Sequence, residues 1–218
     1  MTKTLGALVF VAAVAAPNAA SADDNPSVFS YSWRDNRMQS GIGVSALLGA
    51  GVSGFTDATM RDVAAQDVGG LWDLRVAIGS HIPLGLELAY IGTAVDIDAL
   101  TGTQTGTLIG TTAEAALRYN IMPQYKWNPY VFAGIGYQRY DVRNGNFTLS
   151  DTGVSDSDNS IVFPLGAGLS YRDTTGLVFD LRGELRANTN QGLVLDTNGV
   201  DYVPMHAWEA SGAIGYEF

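Results

Sequence analysis

The 218-residue chain has no cysteine, so neither a disulfide framework nor a thiolate metal site is available to it. Charge is scarce: Asp, Glu, Lys and Arg together make up 16% of the residues, low for a soluble domain. Basic residues are the scarcer kind, 12 against 22 acidic ones, and the formal charge of −10 argues against nucleic-acid binding, which needs a basic face toward phosphate. Histidine occurs only twice, at His81 and His206. Beyond the N-terminus no stretch reaches the ~18 continuous apolar residues of a membrane helix. What the chain does have is glycine, 26 residues of it, and moderate hydrophobicity spread in short segments. That combination fits strands better than helices, and the length fits one domain.

Residues 1–22 read as a signal peptide. Lys3 supplies a short positive region, Leu5 to Ala16 an apolar core, and Pro17-Asn18 a break. Ala20-Ser21-Ala22 is a small-x-small cleavage site, after which Asp23 and Asp24 begin the mature chain. The apolar run is too short to span a bilayer as a retained anchor, and with no cysteine after the site a lipoprotein is excluded. Residues 23–40 are polar and irregular and read as a periplasmic lead-in.

Past residue 40 the dominant hydrophobic period is two, the strand signal. Eight segments show it, at roughly 41–54, 70–79, 84–94, 108–120, 129–141, 161–172, 176–187 and 206–218. The seventh is the clearest: Leu177, Phe179, Leu181 and Leu185 fall on one face, and Val178, Asp180, Arg182, Glu184 and Arg186 on the other. Across the set one face is apolar while the other carries small residues and charges of both signs. The charges are Asp73, Glu87, Glu114, Asp180, Glu184 and Glu209 against Arg75, Arg118, Arg182 and Arg186. They fit two settings, water outside a sandwich or mutual pairing inside a narrow barrel whose apolar face meets lipid. Segment lengths of ~9–11 residues or more match tilted membrane strands. Aromatics at or near the ends of many apolar stripes (Trp72, Tyr90, Tyr119, Phe163, Tyr171, Trp208, Phe218) match interfacial girdles. Only a closed sheet satisfies its backbone in hydrocarbon. The expected fold is therefore all-β, an eight-stranded antiparallel up-and-down transmembrane β-barrel over residues 41–218.

Connection lengths support the same reading. Residues 80–83, 121–128 and 173–175 are short, whereas 55–69, 95–107, 142–160 and 188–205 are long. Short turns belong on the periplasmic side and long loops outside. Three places fit less well. Leu47 sits on the small-residue side of the first segment, and the fifth has aromatics on both faces, Tyr130 and Phe132 against Tyr137. Pro164 in the sixth cannot donate to a ladder, which marks either a bulge near the rim or a later strand start.

These features resemble the small outer-membrane β-barrel superfamily, of which the OmpA membrane domain is the best known. Asn128-Pro129-Tyr130-Val131-Phe132-Ala133-Gly134-Ile135-Gly136-Tyr137 is similar to the P-Y-x-x-x-G-x-G strand of those barrels. The tail Ser211-Gly212-Ala213-Ile214-Gly215-Tyr216-Glu217-Phe218 resembles their C-terminal assembly signal, with Tyr216 and Phe218 as its aromatics and Ala213 where glycine is usual. The resemblance implies a bacterial outer-membrane location, with the barrel assembly machinery as a partner during biogenesis. It implies outer-membrane lipid and lipopolysaccharide as the surroundings. Because residue 218 closes the eighth segment, the peptidoglycan-binding domain of full-length OmpA and its cell-wall anchoring are not expected to carry over.

Candidate chemistry is sparse. Neither histidine shows a nucleophile, a base within reach and a third group to orient it. His81 lies in a periplasmic turn, and His206 near the outer rim lacks the His-x-Ser spacing of the lipid A deacylase barrels. No enzymatic activity and no cofactor is expected. The inward charges (Asp73, Arg75, Glu87, Glu114, Arg118, Asp180, Arg182, Glu184, Arg186, Glu209) read as a network of mutual salt bridges closing the lumen, or as the lining of a narrow ion path. The loops concentrate acid: Asp57, Asp62, Asp67, Asp96, Asp98, Asp151, Asp156, Asp158, Asp196 and Asp201, opposed by Arg61 and Arg143. They read as solvated, since neither Asp-x-Asp pair opens a calcium loop. The resulting expectation is a structural or surface-interaction barrel with a lumen closed by charge, the alternative being a narrow porin-like channel for ions or small solutes.

Overall fold

The computed structural model describes residues 41–57, 60–61, 68–98, 105–143, 157–189 and 205–218. The expected signal peptide and lead-in lie outside these residues, as do Asp62, Asp67, Asp151, Asp156, Asp196 and Asp201. Eight strands follow in chain order: β1 (Val44–Phe55), β2 (Gly69–Ile78), β3 (Leu84–Asp98), β4 (Thr105–Asn120), β5 (Trp127–Arg143), β6 (Ser157–Arg172), β7 (Leu177–Thr189) and β8 (Ala207–Glu217). Each pairs antiparallel with its neighbours in sequence, and β8 returns to β1, closing the sheet. Every expected segment is a strand. β3 to β7 run further toward the long connections than the sequence reading placed them, with β5 reaching 17 residues. No helix among the described residues is long and apolar enough to cross a membrane.

The strand register fixes the shape of the cylinder. Starting at Val44 and stepping across each ladder, one passes Ile78, Leu86, Leu117, Ala133, Leu165, Leu185 and Trp208 and arrives at Gly54, ten residues further along β1. For eight strands that stagger tilts them by about 43° from the barrel axis. Every ladder keeps one register throughout. Pro164 interrupts the pairing of β5 with β6 between Ala133↔Leu165 and Gly136↔Val162 without shifting it, so it makes neither a bulge nor a late strand start.

The outward face is the apolar one. Leu48, Leu84, Leu117, Leu165, Leu181 and Leu185 are each more than half exposed, which a water-soluble domain would not leave on this scale. Aromatics bound this band. Trp127, Tyr171 and Phe179 stack in a row near the short turns, and Tyr216 meets Phe218 edge-on at 5.2 Å. Trp72 and Tyr90 meet nearer the long connections. On β5, Trp127 and Tyr137 both face outward and stand ten residues apart, about 24 Å along the axis at this tilt, the height of an outer-membrane apolar band. Two of the three short turns reverse the chain with a glycine in the left-handed region, Gly79 (φ 88°) and Gly176 (φ 90°), and a Cβ on Gly79 would come within 2.9 Å of Gly85 Cα.

Candidate functional site in the barrel lumen

The strand period that sends leucines outward sends every second side chain into the lumen. β7 contributes Asp180, Arg182, Glu184 and Arg186 in alternating sign, all buried. β2 adds Asp73 and Arg75, β3 Glu87, β4 Glu114 and Arg118, and β8 Glu209. The closed sheet brings these ten residues into one connected web. Arg75 donates to Asp73 Oδ1 and Asp180 Oδ1, both at 2.7 Å. Arg118 donates to Glu87 Oε2 at 3.2 Å and lies 3.9 Å from Asp180 Oδ2. Arg182 is the hub, engaging Glu87, Glu184 and Glu114, the last at 3.0 Å. Arg186 donates to Glu114 at 2.9 Å and Glu209 at 2.8 Å, with Glu184 Oε1 at 3.6 Å. Each guanidinium thus spans two or more strands, the fork geometry that makes Arg the residue for buried pairing.

β1, β5 and β6 add no charge to this web. β5 turns Tyr130 and Phe132 inward and Tyr137 outward, which settles the register left open by its two-faced aromatics. Tyr130 donates to Asp180 Oδ1 at 2.8 Å. Its ring lies 3.4 Å from the Arg118 guanidinium, and the Phe132 ring 3.9 Å from that of Arg182, so both cations rest on aromatic faces. Room for these rings comes from β6. Gly168 lies opposite Tyr130 and Gly166 opposite Phe132 in the ladder, and a Cβ on either would fall within 2.5 Å of the facing ring. Leu47 of β1 also points inward and is buried.

Below this layer, at the short-turn end, lies a second cluster that the sequence reading did not assemble. Arg172 Nη1 donates to Ser80 O at 2.8 Å and to Glu217 Oε2 at 3.4 Å, while Nη2 donates to Pro123 O and Tyr125 O. Ser80 Oγ donates to Glu217 Oε2 at 2.5 Å, and His81 Nε2 lies 2.6 Å from Glu217 Oε1. Asn120 spans Gly79 O and Ile82 O and accepts from Asn128 and Arg118. Arg172 and Glu217 both hold inward parity at strand ends, and that parity was the available signal. Serine, acid and histidine meet here, but the acid stands between the other two. The Ser80 hydroxyl is thus bound to the Glu217 carboxylate and not to the His81 imidazole, which is not the serine–histidine–acid order of a nucleophilic triad. In the third turn the Thr174 backbone N–H and the Thr175 hydroxyl hold the exposed Asp173 carboxyl below its ordinary range.

Above the charge layer the lumen is filled by apolar and neutral polar side chains. Leu71, Ile91, Val95, Leu108 and Val162 are buried on inward positions. At that rim His206 accepts the Asn188 backbone N–H at 3.1 Å. Asp96 accepts from Thr107 Oγ1, and Arg139 forms an exposed fork to Asp141. The assembly-signal aromatics Tyr216 and Phe218 face outward, 49% and 80% exposed. Among the described residues no group of three or more His, Asp or Glu has the arrangement of a metal-ion site.

Residues 6–218 match the family model of the outer membrane protein beta-barrel domain. No curated protein matches the sequence. Among solved structures, the chain is similar to Ail, the attachment invasion locus protein of Yersinia pestis, with 15% identity, TM-score 0.51, and coverage of 81% of this chain and 99% of that one. It is similar to neisserial surface protein A with 16% identity, TM-score 0.50 and coverage of 82% and 98%. A major outer membrane protein of Thermus thermophilus matches with 15% identity, TM-score 0.52 and coverage of 82% and 100%. At these identities the likeness is one of fold.

Proposed function

This chain belongs to the outer membrane protein beta-barrel family of the bacterial outer membrane, and from that premise we propose that it is a structural or surface-interaction barrel whose lumen is closed by its own charged side chains. One observation carries the reading: ten inward charges of the mid-lumen sit in a single web, with side chains no more than 6% exposed. A web of this kind, continuous from β2 to β8, leaves no open row of charges for an ion to follow. Breaking one member leaves a buried charge without compensation, so the web resists rearrangement.

Surface interaction falls to the long connections, which the resemblance places outside the cell, while the web ties the barrel wall together beneath them. Tyr216 and Phe218 serve as the recognition element for the assembly machinery, since both remain on the outer face of the last strand. The barrel is not an enzyme on this reading. His81 is engaged by Glu217 and His206 by a backbone amide, and the Ser80 hydroxyl is bound to Glu217 rather than to His81.

Recording from the purified protein in planar lipid bilayers tests the proposal. It predicts a silent membrane. Steady, reproducible unitary openings would instead support the narrow porin-like channel.

A further inference from the structure

The mid-lumen web holds six carboxylates, Asp73, Glu87, Glu114, Asp180, Glu184 and Glu209, against four guanidiniums, Arg75, Arg118, Arg182 and Arg186. Arg172 does not correct the surplus of two, because Glu217 already engages it below. Buried charge without compensation is costly, so positive charge from outside the web is called for. The two acidic groups that face each other directly in the β7–β8 ladder are Glu184 and Glu209, which places the excess at the web's upper edge.

A second, independent feature lies at that edge. A small cavity there is lined by Glu209, Gln138, Ser53, Thr93 and Tyr140 and has room for about one water-sized occupant. Gln138 is 2% exposed, and its Oε1 is a buried acceptor with no hydrogen-bond partner. The Gln138 amide nitrogen and the Thr93 hydroxyl both approach Gly110, where a Cβ would fall 3.3 Å from Gln138 Nε2 and 2.3 Å from Thr93 Oγ1. The Arg186 bond to Glu209 engages Oε1. Val95, Leu108 and Phe55 wall the remainder, lowering the local dielectric and strengthening any charge interaction inside.

We propose that this cavity is a binding site for one small monovalent cation of sodium size, held by the Glu209 carboxylate, Gln138 Oε1 and the neighbouring hydroxyls. A single carboxylate already shared with Arg186, plus neutral oxygens, suits a monovalent ion better than a divalent one, which gathers more anionic ligands. The bound ion neutralises part of the surplus and satisfies the orphaned amide. The inference stands on the charge inventory and the cavity, and holds whether or not the lumen conducts.

The test uses the full barrel in detergent micelles. Its unfolding rate in dodecyl sulfate is followed by the gel shift between folded and unfolded bands. Sodium chloride is compared with N-methylglucammonium chloride at equal ionic strength, the organic cation being too large to enter. Sodium is expected to slow unfolding roughly tenfold, the factor for a native-state site about ten times above its Kd. Gln138→Leu should shrink the difference, and Glu209→Gln should remove it. Sodium-23 NMR should show line broadening with the native protein that is absent with Glu209→Gln. Equal rates for the native protein in the two salts would overturn the proposal, and so would a sodium effect that persists in Glu209→Gln or is undiminished in Gln138→Leu. Compensation by protons or a lone water gives the equal rates.

Discussion

The two faces of this one sheet obey opposite rules. Outward side chains such as Leu117, Leu165 and Leu181 meet acyl chains, an environment as apolar as themselves, so each is replaceable by another of its kind. Inward side chains such as Arg182 and Glu87 have particular partners on particular strands, and nothing else in the lumen can substitute for them. The lesson is that redundancy lies on the lipid side of the wall and specificity on the lumen side. Substitutions on the two faces should therefore differ in cost even at adjacent positions of one strand.

The sharpest break of that contrast is Arg182→Met. It strips the hub from Glu87, Glu114 and Glu184 at once, and should cost about 3–5 kcal/mol, the range for removing one partner from a buried pair. Urea unfolding in lipid vesicles, followed by tryptophan fluorescence, reads it. Next comes the neighbouring outward position. Leu181→Arg drives a charge into lipid at about 2–4 kcal/mol near the midplane and less toward either interface, and the same titration reads its depth. Gly168→Val is expected to cost about 1–3 kcal/mol through overpacking against the Tyr130 ring. It should also displace that ring from Arg118, visible as a changed near-ultraviolet dichroism. Leu181→Ala, which leaves the outer face apolar, should cost about 1–2 kcal/mol, the transfer free energy of the carbons withdrawn from lipid. A cost for Leu181→Ala comparable to that of Arg182→Met would erase the distinction between the faces.

How much of this was legible beforehand follows the same division. The alternation in β7 is local, so its two faces could be assigned from eleven residues alone. The ionic partners could not, because Glu87 and Arg182 are 95 residues apart and meet only through the ten-residue stagger of the closed cylinder. The inward turn of Tyr130 and Phe132 was ambiguous for a related reason. What decides it is the absence of side chains at Gly166 and Gly168, on another strand. The cluster around Arg172 and Glu217 was hidden because four of its members, Ser80, His81, Pro123 and Tyr125, lie in turns, where period carries no facing information. Strand ends were placed short on β3 to β7, since polar residues near the long connections interrupt the hydrophobic pattern before hydrogen bonding ends.

The chain's lack of cysteine makes one experiment unusually clean. Ala116 faces the lumen beside the charge layer and is 3% exposed. In Ala116→Cys barrels reconstituted in vesicles, a water-soluble thiol reagent applied from both sides should leave the folded protein unlabelled and label it fully after boiling. Rapid labelling of the folded barrel, at a rate near that of the boiled sample, would show a water-filled interior and contradict a lumen closed by its own charges.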